Sequence, residues 1–172
     1  MKDDIYSIRL SRLDDIPEMQ KIFSAAREKM RADGNIQQWT GGYPSDELLK
    51  HDIYCQHSFV VEKDQKLVAT FVMVIGKDPT YSIIYDGSWI DDSNVYATIH
   101  RIAALPECKG IAKLCFDFAW EKTRNLRIDT HSDNLRMRHI VESYGFTYCG
   151  IIHLKNGDER LAYQKCDLTE SL

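Results

Sequence analysis

Apolar positions along the chain follow two rhythms, and their alternation predicts its elements. "IYSIRL" alternates with the period of a strand, after which Ile16, Met19, Phe23, Ala26 and Met30 recur at helical spacing. Pro17 is tolerable in the first turn of that helix, and Gly34 is a plausible stop. Ser45, followed by Asp46 and Glu47, can cap a short helix through about Ile53, so "QQWTGGYP" is expected to be a loop between helices that carries Trp39 and Tyr43.

"HSFVVEKDQKLVATFVMVI" reads as two strands joined by the polar "KDQK". The second is apolar at odd and even positions, which predicts a central strand covered on both faces. Gly76 to Asn94, with Pro79, Gly87 and Trp89, shows no period and is assigned no structure. "YATIHRIAAL" is the next strand. Ile111, Leu114, Cys115, Phe118 and Ala119 then form the stripe of a core-facing helix.

"LRIDTH" follows as a strand, and Asp133 can cap a helix with Met137, Ile140, Val141 and Tyr144 on its apolar side. "FTYCGIIHL" and "ERLAYQK" flank "KNGD", whose Asn156-Gly157 pair predicts a tight hairpin turn. Strands joined by short polar links, with helices interrupting the series, predict an α/β (α+β) fold: a mixed, mostly antiparallel central sheet flanked by helices. No repeat or linker divides the chain, so a single domain over residues 1–172 is expected.

Composition narrows the function classes. At 44% hydrophobic and 28% charged the chain reads as a soluble globular protein, and its longest mainly apolar run, Leu67 to Ile75, falls well short of a membrane span. "MKDDIYSIRL" shows no secretory leader, which makes the cytoplasm the expected compartment. Acids and bases interleave at a net charge of −4, so neither nucleic acid nor a membrane is an expected partner. The five cysteines, odd in number and without a CxxC pair, read as reduced thiols.

"ECKGIAKL", between a strand and a helix, is the first stretch with candidate chemistry. A helix start presents unpaired N–H groups and the positive end of the dipole, both favourable to phosphate. Gly110 allows close approach of backbone, Ala112 is nearly as small, and Lys109 and Lys113 add charge. By itself a single glycine before a helix reads more readily as a plain turn than as a phosphate site. No GxGxxG or P-loop lysine motif supports a nucleotide-binding enzyme. His51, Cys55 and His57, with Asp52, lack the second ligand pair of a closed zinc site, so no metal is expected.

Two segments together resemble the GNAT superfamily of acyl-CoA-dependent N-acetyltransferases. "ECKGIA" is similar to that family's Q/R-x-x-G-x-G/A cofactor motif, and "DNLRMRHIVESYGFTYCG" to its second motif, an asparagine and a helix followed by "GF" entering a strand. The element order is similar from about Ile5 to Lys165. The resemblance implies that main-chain N–H groups of Lys109, Gly110, Ile111, Ala112 and Lys113 bind the CoA pyrophosphate. It also implies that the strand ending at Ile102, Ala103 and Ala104 pairs with the pantetheine arm, and that Asn134 helps to hold it. Arg138 could reach phosphate or remain a solvated charge. A homodimer is a further implication of the family.

Two positions depart from the family pattern. Glu107 stands where the motif has Gln or Arg, in a loop about two residues short, with Lys109 as a substitute positive charge. Val141 stands where many members carry a tyrosine that protonates the departing CoA sulfur. A thiol of pKa about 8.5 needs on the order of 2 kcal/mol of help near neutrality, which water or another side chain can supply. The harder requirement is a neutral amine and donors aimed at the thioester oxygen, the latter a strand N–H near Ile102 in the family.

His100 is the first candidate base, followed by Asp129 and His131, which alternate onto one face of "LRIDTH". Each has a structural alternative: His100 as a satisfied core histidine, Asp129 and His131 as partners of strand-end backbone. Trp39 and Tyr43 either line an acceptor pocket or pack a loop. The expected function is transfer of an acetyl group from acetyl-CoA to a primary amine of a small molecule or peptide by direct attack. A non-catalytic acyl-CoA sensor or partner-binding domain on the same fold is the alternative.

Overall fold

The computed structural model describes residues 5–168. Strand β1 (Tyr6–Leu10) is followed by helices α1 (Ile16–Ala32) and α2 (Asp46–Tyr54), then by strands β2 (Ser58–Lys63), β3 (Lys66–Ile75) and β4 (Ala97–Ala104). Helix α3 (Ile111–Thr123), strand β5 (Asn125–Thr130), helix α4 (Leu135–Tyr144) and strands β6 (Thr147–His153) and β7 (Glu159–Cys166) complete the order. The strands form one seven-stranded sheet in the order β1-β2-β3-β4-β5-β7-β6.

Pairing is antiparallel for β1–β2, β2–β3, β5–β7 and β6–β7. The β4–β5 pair is parallel, with Ala97 opposite Leu126 and Thr98 opposite Arg127. A parallel pair needs a crossover, and α3 is that crossover. The mixed, mostly antiparallel sheet with helices is the architecture that the periodicity predicts.

By backbone packing the chain divides into two compact units: one runs to Met73 and takes in Arg101–Ile111, and the other comprises Val74–His100 and the chain from Ala112 onward. In the first, the i, i+3, i+6, i+7 spacing of Ile16, Met19, Ile22 and Phe23 buries one face of α1 against Leu49, Val60 and Ala103. Met19, Ile22 and Phe23 are almost fully buried, each contributing on the order of 2 kcal/mol. Ser45 caps α2 by accepting the Leu48 N–H at 3.2 Å. The β2–β3 link turns on Asp64 and Gln65, whose φ angles of 50° and 63° suit a tight hairpin.

In the second unit, Gly76 to Asn94 departs from the sequence expectation, because this aperiodic segment has a fixed course. A 3-10 turn forms at Pro79–Tyr81, capped by Asp78, which accepts the Thr80 N–H at 2.8 Å. Tyr85 pairs antiparallel with Ile151, both N–H···O distances being 2.8 Å. Tyr81, Trp89 and Tyr96 are buried with Cys149, Ile152 and Ala162. Long-range side-chain anchors replace periodicity: Gln164 accepts the Ile90 N–H at 2.8 Å, and the Arg127 guanidinium donates to the Asp91 carbonyl at 2.9 Å. Such anchors leave no local pattern in the sequence.

The candidate active site

Strand β4 carries its polar residues at a deliberate irregularity. Arg101 has φ +50°, unusual for a side-chain-bearing residue, and breaks the regular pleat after His100. Beyond it Ala103 is buried and Ile102 and Ala104 are half-buried. The chain then turns: the Leu105 N–H bonds the Val68 carbonyl at 2.9 Å, and the Cys108 N–H bonds that of Leu105 at 3.0 Å. Lys109 and Glu107 are both exposed, and the Lys109 ammonium reaches the Pro106 carbonyl at 3.4 Å.

Gly110 is exposed at φ +72°, with no atom within 4 Å of the place a Cβ would take. Ile111 then opens α3 with its side chain buried, Ala112 is half-buried, and Lys113 is exposed and paired with Asp117 at 2.6 Å. The first N–H groups of a helix have no acceptor within it. An open glycine at the head of such a turn, flanked by two exposed lysines, fits a phosphate-bearing group. These features lie on one continuous segment from Ile102 to Lys113.

Helix α4 begins one residue later than expected. The Asp133 N–H donates to His131 Nδ1 at 3.0 Å and the Asn134 N–H to the His131 carbonyl at 3.0 Å, a turn that delays the helix. Asn134, in place of Asp133, is therefore the cap, accepting the Met137 N–H at 3.1 Å. Arg138 donates to the Ser132 carbonyl at 3.1 Å and interacts with Tyr163. Val141 is completely buried. Tyr144 donates to Asp117 at 2.7 Å, and burial, followed by that carboxylate, pushes its phenol well above the usual range. Neither residue presents a ready proton donor.

Asp129 and His131 do not share a strand face. Strand β5 ends at Thr130, and the same turn takes His131 out of the sheet. Asp129 instead accepts a 2.6 Å hydrogen bond from the hydroxyl of fully buried Tyr81. Burial, then the Asp129 charge, raises the Tyr81 phenol far above its ordinary value, so the phenol stays neutral and donates.

The Tyr81 ring lies 6.2 Å from that of His100. His100 Nε2 is 3.1 Å from Asp78 Oδ2. Burial pushes the Asp78 carboxyl up, but hydrogen bonds from His100 and Thr80 outweigh it and hold the pKa at about 2. The Tyr96 hydroxyl accepts the Asp78 N–H at 2.8 Å, fixing the carboxylate's backbone. Asp78, Tyr81, His100 and Asp129 thus form one polar cluster in the second unit.

Trp39 and Tyr43 both lie in the α1–α2 loop and differ in environment. Trp39 packs edge-on to Phe23, with ring centroids 5.6 Å apart, against the core of the first unit. Tyr43 is exposed, and its hydroxyl accepts from Arg101 at 3.0 Å. Arg101 also pairs with buried Asp52, while its guanidinium sits 6.0 Å over the Tyr43 ring. The sequence reading missed Asp78, Tyr81 and Arg101, and weighed Asp52 only as a metal ligand beside His51, Cys55 and His57. Asp78-Pro79 carries the local signature of a turn cap, but a partner 22 residues away leaves none. Among the described residues no group of three or more His, Cys, Asp or Glu is placed to hold a metal, and no helix is long and apolar enough to cross a membrane.

No protein-family profile and no curated protein matches the sequence. Solved structures do. A GNAT-family acetyltransferase from Streptococcus agalactiae is 32% identical, covering 94% of this chain and 95% of that one at a TM-score of 0.85. A GNAT-family acetyltransferase from Listeria monocytogenes shares the fold at 17% identity, covering 93% and 94% of the two chains with a TM-score of 0.67. A ribosomal-protein-alanine N-acetyltransferase from Brucella melitensis does so at 16% identity, 94% and 99% coverage and a TM-score of 0.60. With 32% identity to the streptococcal protein along almost the whole of both chains, this chain belongs to the GNAT family of acetyltransferases.

Proposed function

We propose that this chain transfers an acetyl group from acetyl-CoA to a primary amine of a small molecule or peptide by direct attack, with no covalent enzyme intermediate. The observation that carries the reading is the continuous segment from Ile102 to Lys113, in which an irregular strand end, an open Gly110 at φ +72° and the start of α3 follow one another. In this reading the N–H groups from Lys109 to Lys113 hold the pyrophosphate, the backbone of Ile102 to Ala104 pairs with the pantetheine amides, and Asn134 adds a polar contact. Acetyl-CoA supplies the activated thioester.

The protein's own contribution is to deliver a neutral amine and to stabilise charge on the thioester oxygen. His100, a quarter exposed and held by Asp78, is the residue best equipped to take the amine's proton. Within the first unit, Tyr43, Asp52 and Arg101 form a polar and aromatic group of their own. A melting scan tests the cofactor assignment. At 100 times the dissociation constant, acetyl-CoA is expected to stabilise the fold by about 2.7 kcal/mol. No change in Tm at millimolar acetyl-CoA contradicts the assignment.

The burial of Val141 and the commitment of Tyr144 to Asp117 favour a second reading, a non-catalytic acyl-CoA sensor. In that case acetyl-CoA raises Tm, yet no amine in a broad panel releases free thiol above background.

A further inference from the structure

We propose that Asp78 is a positioning residue that fixes the tautomer of His100, so that Nε2 carries the proton and Nδ1 presents its lone pair as the base for the acceptor amine. The proposal rests on the acetyltransferase reading above.

The geometry comes from three elements. Asp78 is locked as a cap: one carboxylate oxygen accepts the Thr80 N–H at 2.8 Å, and its own N–H donates to the Tyr96 hydroxyl at 2.8 Å. The other oxygen, Oδ2, faces His100 Nε2 at 3.1 Å. An ionised carboxylate only accepts, so the proton between the two groups belongs to Nε2. In a neutral imidazole the other nitrogen is then the acceptor. The Asp78 side chain is 16% exposed and that of His100 26%, so the pair is largely shielded while part of the His100 side chain stays accessible.

The other ionisable groups around His100 reinforce this arrangement. Tyr81, on the 3-10 turn, lies 6.2 Å from the imidazole ring and donates its hydroxyl hydrogen bond to Asp129 on β5. Tyr96, whose ring is 6.4 Å from that of Tyr81, completes the surround. Asp78 is therefore the carboxylate in direct contact with the imidazole, and it sets which nitrogen carries the proton.

The step balances simply. An acceptor ammonium gives one proton to His100 Nδ1. The amine nitrogen then bonds to the thioester carbonyl carbon, and the C–S bond breaks with its electron pair on sulfur. A second N–H proton passes to that sulfur through solvent, and the imidazolium returns its proton to solvent. The products are an amide, a thiol and one proton.

Two measurements test the proposal. In the wild-type protein without ligand, long-range ¹H–¹⁵N spectra of the histidine rings should show His100 as the Nε2–H tautomer at pH 8. Asp78→Asn keeps the capping oxygen and removes the charge. It should lower kcat by 10-fold or more. KM for acetyl-CoA should stay within two-fold, and the double variant Asp78→Asn/His100→Gln should be no slower than His100→Gln alone. An Nδ1–H tautomer, or Asp78→Asn turning over like wild type, overturns the proposal while the acetyltransferase reading survives. A wild-type protein that releases no thiol with any amine overturns that reading and the catalytic role together.

Discussion

Tyr81 and Asp129, 48 residues apart, meet in a 2.6 Å hydrogen bond that joins the β3–β4 connection to strand β5. The donor is fully buried and the acceptor is a carboxylate, the combination in which one hydrogen bond is worth most. Tyr81→Phe should therefore cost about 2 kcal/mol in denaturant unfolding. It should also leave the phenolate absorbance that develops near the ordinary tyrosine pKa of 10 unchanged, because burial and the Asp129 charge hold the Tyr81 phenol well above it. A smaller absorbance in the variant would show that the Tyr81 hydroxyl is not sequestered.

Acid stability depends on Asp78. Its folded pKa of about 2 lies below the ordinary 3.8, so its contribution is complete above pH 4 and disappears as the pH falls through 2. A depression of that size corresponds to about 2 kcal/mol. Between pH 4 and pH 2, wild type should lose about 2 kcal/mol more stability than Asp78→Asn does. Urea titrations at intervals across that window measure the difference directly. Parallel curves would place the acid sensitivity in another carboxylate.

Arg127 anchors the β3–β4 connection. Its guanidinium is 4.0 Å from the Trp89 ring centroid and 3.9 Å from that of Tyr96, and it donates to the Asp91 carbonyl and, at 2.8 Å, to Asp92. The side chain is 1% exposed, so truncation removes packing, cation–π contacts and hydrogen bonds together. Arg127→Ala should cost about 3 kcal/mol and expose the connection to limited proteolysis. Arg127→Met, which refills the space between the rings, should recover part of the stability. Equal losses in both would show that the hydrogen bonds, rather than the stack, hold the segment.

Two glycines should respond differently to alanine. At Gly87 a Cβ would lie 1.9 Å from the Cys149 carbonyl oxygen, a backbone atom that cannot move aside cheaply. Gly87→Ala should thus destabilise by on the order of 3 kcal/mol. Gly110 has open space and only its φ of +72° to forbid a side chain, which costs roughly 1 kcal/mol. Gly110→Ala should fold nearly normally but lose most of the Tm gain from acetyl-CoA. Thermal scans of the two variants, with and without acetyl-CoA, distinguish a structural glycine from a binding one.

Elements governed by local periodicity were legible in the sequence, and those governed by distant partners were not. The α1 stripe of Ile16, Met19 and Phe23, the polar turn at Asp64-Gln65 and the helix beginning at Ile111 all stand where the pattern places them. The course of Gly76 to Asn94 was hidden because Arg127 and Gln164, which anchor it, come from much later strands. The cap of α4 was misplaced by one residue because a turn at His131 competes with the helix start. Within the candidate site, His100 was visible as a candidate on the strand that precedes the Gly110 turn. Asp78 was not, because β3 and β4 must pair before the two can meet.

The central claim, acetyl transfer to an amine, is tested most directly by incubating the protein with acetyl-CoA and a panel of primary amines while following free thiol and acetylated amine together. Thiol released in equimolar amount with an N-acetylated product, at a rate that depends on amine concentration and falls at least 10-fold in His100→Gln, is the predicted result. Bound acetyl-CoA with no amine-dependent thiol would contradict it.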